Sequence, residues 1–251
     1  MSHGRDAGGE RIKGVFSSEA NSWIGAGATK RKVVIRRNYF VEERTEGFVK
    51  VQMLGDNFLP TGAPVTIKKE ELVAKYIPET DIYLQKTLPA MKAVAKTLAR
   101  ADRLRSQGEV YGAEFEYKNA LRMDTQNVRA MFGLALTYMD RDEQDKAQHV
   151  LQSLIKLEEA FDVENKYLFN EFGIKLRKAR MFEPALSYYA KAFKLCGNDE
   201  HLLYNMARIY YDMLDYKRAA VFLKKALQIN PGFSHGREFA RVLMAKLKAA
   251  C

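Results

Sequence analysis

The sequence predicts a mainly α-helical protein, an α-solenoid of stacked helix–turn–helix units with a small β-rich module before it. Three observations predict this class. The second half of the chain repeats a pattern of small and large apolar residues at a nearly constant spacing. Residues 31–67 alternate apolar and polar side chains with a period of two. The composition, 47% hydrophobic and 29% charged over 251 residues, is that of a folded globular chain.

The repeat is carried by four segments, 106–124, 141–158, 177–195 and 211–231. In each segment a small residue is followed four positions later by an aromatic residue or Leu, and usually by Ala three positions further on. The sets are Ala113, Tyr117 and Ala120; Ala147, Leu151 and Leu154; Ala185, Tyr189 and Ala192; and Ala219, Leu223 and Ala226. The first Ala recurs after 34, 38 and 34 residues. Such a period is typical of stacked helical hairpins, because one hairpin cannot bury its apolar face alone.

These positions resemble those of the tetratricopeptide repeat (TPR) family, with repeats at about 94–127, 128–161, 166–199 and 200–233. The last repeat matches best. Its matching residues are Leu203, Met206, Ala207 and Tyr210 in the first helix, Ala219, Leu223 and Ala226 in the second, and the closing Pro231. No repeat has the family's Trp at its fourth position. The resemblance implies a right-handed superhelix over residues 81–251, and a capping helix is predicted at 234–249.

The resemblance also implies a binding surface, because the first helix of each TPR repeat lines a concave groove. Carried over position by position, the groove residues are Arg129, Phe132, Leu136 and Met139; Tyr167, Asn170, Ile174, Arg177 and Lys178; and His201, Tyr204, Arg208, Tyr211 and Asp212. Aromatic residues and Arg dominate binding hot spots, so this mixture predicts a protein partner, bound as a peptide or helix. For Phe132, Leu136 and Ile174 the alternative is packing between neighbouring hairpins.

Two arginines of this set, Arg177 and Arg208, are predicted to point into the same concavity, since successive first helices lie roughly 10 Å apart. Tyrosines four residues before and three residues after Arg208 share its helix face. We therefore predict a partner segment with acidic residues beside an aromatic or aliphatic anchor. The alternative is that the two arginines pair with Glu171 and Asp212 and tie the repeats together.

The N-terminal region differs from the repeats in composition and in residue pattern. Residues 1–30 are rich in Gly, Ser and Ala and are predicted to be a flexible tail. Phe16, Trp23 and Ile24 are large apolar residues within it. We expect them to dock on the β-rich module of the same chain. The alternative is a short recognition segment or a pseudo-ligand for the groove.

The β-rich module is predicted at residues 31–80, as a three-strand meander followed by a short helix. The period-two residues are Val33, Ile35, Tyr39 and Val41 in one strand and Val49, Val51 and Met53 in the next. Turns are predicted at 43–47 and 59–64. The helix is predicted at 68–76 and stops before Pro78, because the residue before a proline disfavours helical geometry.

Patterns of catalytic residues are not found in the sequence, which favours a binding protein over an enzyme. The four histidines lack the spacing of metal ligands, and Cys196 and Cys251 lie far apart. Residues 25–30 lack the Gly-Lys-Ser/Thr ending of a phosphate loop. We therefore expect a non-catalytic scaffold with no cofactor and no metal. An apolar stretch of 18 residues and a signal-peptide core are also lacking, so the expected location is cytoplasmic.

The net charge of +10 leaves nucleic-acid binding open as an alternative. Residues 1–50 contain ten Lys or Arg against six Asp or Glu, and residues 201–251 contain nine against three. Basic residues on or beside a predicted strand are Lys30, Arg31, Lys32, Arg36 and Arg37. A two-stranded ribbon can enter a major groove. An acidic protein segment is the other partner that this charge would attract.

Overall fold

The computed structural model describes residues 11–24, 27–45, 47–157, 160, 165–197 and 199–249. The chain divides into two units, Met1–Lys96 and Thr97–Cys251. Within the described residues, no helix combines the length and the apolar character that crossing a bilayer requires.

The first unit contains an antiparallel sheet, which has five strands in the described part of the chain. The strands are β1 (Lys13–Ile24), β2 (Arg31–Thr45), β3 (Phe48–Leu54), β4 (Pro60–Lys68) and β5 (Ile77–Pro78). Their order across the sheet is β4-β3-β2-β1-β5. The pairing of β1 with β2 runs without interruption from Lys13 opposite Glu42 to Ile24 opposite Arg31.

One face of this sheet buries the residues that the period-two pattern places together. Val41, Val49 and Val51 form a cluster with Leu72 of helix α1 (Lys69–Lys75). Val41 and Val49 are fully buried, because α1 covers them through Leu72. The alternation of apolar and polar residues therefore arises because a helix covers one face of the sheet.

The prediction of a flexible tail over residues 1–30 is wrong for residues 13–24, which form β1. The strand has few apolar residues, but its backbone hydrogen bonds to β2 do not depend on side-chain type. Val15 and Ser17 are buried on one face, and Phe16 packs against the apolar cluster on the other. Residues 1–10 lie outside the described residues, as do the side chains of Trp23 and Ile24.

The turn predicted at 59–64 is also wrong, because β4 already begins at Pro60. The chain turns earlier, where the Gly55 N–H donates to the Leu59 carbonyl and Asn57 Oδ1 accepts from the Leu59 N–H. The prolines at positions 60 and 64 are tolerated because β4 lies at the sheet's edge, where an N–H is not needed for a ladder. The first predicted turn lies where β2 passes into β3, and Gly47 there has φ of +81°.

Helices make up the rest of the chain. Thr80–Ile82 (α2) leads through a π-helical turn, Tyr83–Thr87, into α3 (Leu88–Ser106). The following helices are α4 (Val110–Met123), α5 (Val128–Asp140), α6 (Gln144–Leu154), α7 (Lys166–Lys178), α8 (Phe182–Cys196), α9 (Glu200–Asp212), α10 (Tyr216–Ile229) and α11 (Ser234–Ala249). Consecutive helices pack together within hairpins, and α7 contacts both α5 and α9. The predicted mainly α-helical solenoid is confirmed.

The turns inside the four hairpins share one backbone conformation, which the pattern of apolar residues does not show. A residue with left-handed φ ends the first helix in all four cases: Gly108 (+79°), Asp142 (+59°), Arg180 (+59°) and Leu214 (+65°). The N–H of the next residue donates to the carbonyl five residues before it, at 2.9–3.0 Å. These are the bonds of a Schellman-type helix end, where Gly is the usual residue. The repeat therefore extends to the backbone, at the same 34- and 38-residue spacing.

The largest core of the second unit lies among α5, α6, α7 and α8. Phe132, Phe172 and Tyr188 meet edge to face, with ring centroids 5.6–6.3 Å apart. Gly173 allows α7 and α8 to approach each other closely, because a Cβ at this position would lie 2.3 Å from the ring of Tyr189.

Candidate protein-binding surface

The first helices of the repeats are joined by ion pairs around Arg105 of α3. Its guanidinium contacts Asp140 Oδ2 of α5 at 2.9 Å and Glu171 Oε1 of α7 at 3.0 Å. Burial alone would lower the pKa of Arg105, but hydrogen bonds to Glu171 and Asp140 outweigh this effect and raise it. One side chain therefore ties three consecutive first helices together.

A polar cleft of about 660 Å³ opens beside these ion pairs. Its charged lining residues are Asp102, Arg105, Arg129, Asp140, Glu171 and Lys175, and the ring of Tyr167 lies at its edge. Cationic and anionic side chains are balanced in this lining. The cleft is therefore not a simple anion pocket but a surface with charges of both signs at fixed places.

Three of the lining side chains are open to a ligand. Tyr167 is 75% exposed, and the side chains of Arg129 and Lys175 are 55% and 40% exposed. Arg129 pairs with Asp102, and Lys175 Nζ lies 2.6 Å from Asp140 Oδ1. Arg129 and Tyr167 belong to the groove set predicted from the sequence, whereas the contribution of Lys175 was missed.

The prediction that Phe132 and Leu136 face a ligand is wrong, because both are completely buried. They lie in the core of α5–α8, where Phe132 contacts Phe172 and Tyr188. The alternative reading, packing between hairpins, holds for them. Met139 is half-buried against the same core, and Ile174 is also half-buried. Asn170 Oδ1 is buried without a hydrogen-bond partner among the residues that the structure describes.

The two predicted groove arginines have different surroundings. Arg177 forms an ion pair with Asp212 of α9, and only 11% of its side chain is exposed. Arg177 therefore ties two repeats together through Asp212, as the alternative interpretation predicts. Glu171, the other acidic residue of that interpretation, pairs with Arg105 instead. Arg208 is exposed, and its guanidinium lies 5.8 Å from the centre of the Tyr204 ring.

Tyr204 and Tyr211 of the last repeat are partly covered by α11 and the turn before it, whereas His201 stays exposed. Phe239 of α11 contacts Tyr204 and Tyr211, with ring centroids 5.7 and 5.3 Å apart. Phe233 lies 4.9 Å from the His201 ring and 5.2 Å from the Tyr204 ring. The prediction of an open aromatic groove at α9 therefore needs correction, because the capping helix supplies aromatic partners from within the chain.

The basic residues of β2 also differ in their surroundings. Arg36 of β2 donates to Ser17 Oγ and pairs with Glu79. Arg31, Lys32 and Arg37 are exposed. In the part of the chain that the structure describes, His, Cys, Asp and Glu form no group of three or more able to hold a metal ion.

Helical hairpins stacked so that their first helices lie side by side define a helical-repeat scaffold, a class of protein whose extended surfaces bind other proteins. Within this class, the family model for the tetratricopeptide repeat matches residues 201–233, which are α9, α10 and the turn before α11. The match places a tetratricopeptide repeat at the last hairpin of the chain, where the sequence resemblance is also strongest.

The relatives found by sequence are much longer than this chain. The TPR repeat-containing protein MJ1428 of Methanocaldococcus jannaschii is 26% identical over 155 residues, which cover 59% of this chain and 27% of that protein. The anaphase-promoting complex subunit CDC16 of Saccharomyces cerevisiae is 26% identical over 117 residues, covering 47% and 14%. The chain therefore spans about a quarter or less of the length of these relatives.

Two solved structures align with about two thirds of this chain. That of pilF from Pseudomonas aeruginosa has a TM-score of 0.49 at 18% identity, covering 64% of this chain and 72% of that one. That of BtubC from P. vanneervenii has a TM-score of 0.49 at 23% identity, covering 65% and 75%.

Proposed function

We propose that this protein is a non-catalytic adaptor that holds a segment of another protein in the cleft between α3, α5 and α7. The observation that carries the proposal is the contrast in access along the first helices. The cleft is open and offers Arg129, Tyr167 and Lys175 to a ligand, whereas Tyr204 and Tyr211 of α9 pack against Phe239 of the same chain.

The ion pairs in the cleft allow its two open cations to change partners. Asp140 accepts from both Arg105 and Lys175, so it stays paired when Lys175 turns to a ligand. Asp102 accepts from the Tyr117 hydroxyl as well as from Arg129. A carboxylate on the partner can therefore engage either cation without leaving a protein carboxylate unpaired, which is the main cost of breaking such pairs.

These groups indicate the chemistry of the partner. A segment with two acidic side chains fits Arg129 and Lys175, and an apolar or aromatic side chain between them fits the ring of Tyr167. Aromatic residues and Arg at a partly buried site are the residue types that contribute most to protein binding. A cytoplasmic location stays a prediction from the sequence.

The proposal is tested by placing a photo-crosslinking amino acid at position 167 in the full chain, in cells that make the protein. Tyr111 on α4 is the matched control, because it is the same residue type and is also 75% exposed. We expect a crosslinked partner from position 167 and not from position 111. Charge reversal of the two exposed cations, Arg129→Glu with Lys175→Glu, should remove that product, while circular dichroism checks that the variant keeps its helical fold.

Two results would contradict the proposal. One is equal crosslinking from positions 167 and 111, which would show no preference for the cleft. The other is a product at position 167 that persists after the double charge reversal, because the partner would then be held by other groups.

A further inference from the structure

A second surface lies at the end of the solenoid, in an apolar groove of about 390 Å³ between α10 and α11. Its walls include Leu223 and Leu227 of α10 and Leu243, Met244 and Leu247 of α11. It shares no lining residue with the polar cleft. Met244 in its wall is 55% exposed, so the groove is open to a ligand.

The two helices that form the groove are strongly basic. They contain eight Lys or Arg residues and a single acidic residue, Glu238. Lys224 lines the groove itself, and Lys217, Arg241 and Lys246 are exposed on the two helices. A ligand therefore meets an apolar floor on two helices of high positive charge.

The shape and charge of the groove favour a helical ligand. The 14 residues of α10 give it a length of roughly 21 Å at 1.5 Å per residue, which is about four helical turns. A second copy of the same surface would bring another pair of strongly basic helices against these two. A flat bilayer surface cannot fill a concave groove between two helices. A separate helix with an apolar stripe and acidic flanks satisfies both the floor and the rim.

We propose that the α10–α11 groove binds an amphipathic helix of another protein, about 14 residues long, whose apolar stripe is bordered by Asp and Glu. This surface acts independently of the polar cleft, so the protein can hold two segments at once.

The probe is a fluorescein-labelled 15-residue helical peptide with Leu at three- and four-residue spacing and Glu on both flanks. Fluorescence anisotropy with the full chain measures its affinity. Met244→Glu changes a groove residue that is 55% exposed, and Val242→Glu is the control on the same helix, 48% exposed and outside the groove. We expect Met244→Glu to weaken binding about tenfold or more and Val242→Glu to change it less than about twofold.

Peptide controls separate sequence pattern from charge. A peptide with Lys in place of every Glu should bind at least about tenfold more weakly, and a scrambled peptide that loses the Leu stripe should do the same. Equal binding of the acidic and scrambled peptides would overturn the proposal, because charge alone would then explain the affinity. No binding of the acidic peptide would also overturn it.

Two further measurements address the other occupants. Light scattering that detects a dimer, lost in Met244→Glu, would assign the groove to a second copy and overturn the proposal. Sedimentation with vesicles of anionic phospholipid that depends on Met244, without peptide binding, would assign it to a membrane surface. Because the polar cleft is also proposed to bind acidic segments, Arg129→Glu is measured beside Met244→Glu. Loss of peptide binding in Arg129→Glu and not in Met244→Glu would assign the peptide to the cleft and overturn the groove proposal, so failure at the cleft and failure at this groove are distinguishable.

Discussion

The middle and the C-terminal end of the solenoid differ in how the outer edges of their first helices meet. In the middle, Arg105 bridges Asp140 and Glu171, and the contact leaves a polar cleft open beside it. At the end, Phe239 packs against Tyr204 and Tyr211, and this aromatic closure leaves both tyrosines only partly exposed. Phe132 and Phe172 also join α5 to α7, but as fully buried core residues.

The comparison teaches that repeats with one helical layout can have different accessible surfaces. A concave helix face in this family layout is not in itself a binding site. In this chain the open cleft lies where α7 approaches α3 through the charged side chains of Arg105 and Glu171.

The aromatic closure at the end should contribute most to stability. Phe239→Ala removes ring contacts with Tyr204 and Tyr211 and should lower the free energy of unfolding by about 2–4 kcal/mol. Urea denaturation followed by circular dichroism measures this change. Val242→Ala on the exposed side of α11 is the control, with an expected change below about 0.5 kcal/mol. Equal effects of the two substitutions would contradict an aromatic closure.

The ionic tie in the middle should contribute less. Arg105→Ala leaves Glu171 without its cation while Asp140 keeps Lys175, so we expect a loss of about 1–3 kcal/mol. Arg103→Ala, on the exposed side of the same helix, should have little effect. A double-mutant cycle between Arg105 and Glu171 isolates the coupling. A coupling energy near zero would mean that the cleft is not held together by this pair.

Mutation of the two predicted groove arginines should lower stability by different amounts. Arg177→Ala breaks a partly buried ion pair with Asp212 and should lower stability by about 1 kcal/mol more than Arg208→Ala, which removes an exposed side chain. Thermal melting compares the two variants. If Arg208→Ala melts earlier than Arg177→Ala, the assignment of Arg177 as the tie between α7 and α9 is wrong.

The hairpin turns are alike in the middle and at the end, and they offer a stabilising change. Leu214 has φ of +65° and is 71% exposed, so Leu214→Gly relieves backbone strain without losing packing. After the entropy cost of Gly, a gain of about 0.5–1 kcal/mol is expected. Val221→Gly, in the exposed interior of α10, should lower stability instead. A loss of stability in Leu214→Gly would show that its turn differs from that at Gly108.

The candidate site could be predicted only in part. Arg129 and Tyr167 lie in the cleft because repeat positions translate directly into helix faces. Phe132 and Leu136 have equivalent-looking positions but are buried, because burial depends on the bulk of the facing helices α7 and α8. The strand over residues 13–24 was missed for a related reason. Its pairing with β2 is a contact between distant segments, and its own residues carry little apolar periodicity.

The amino-acid sequence by itself determined the helical hairpins and their spacing. The pattern of small and large apolar residues acts within one or two helical turns, and its 34-residue recurrence needs no knowledge of distant contacts. Only the tertiary structure decided which faces stay open. That choice depends on residues supplied by the next element, such as Phe239 over Tyr211 and Arg105 between Asp140 and Glu171, and such long-range pairs leave no periodic signal in the chain.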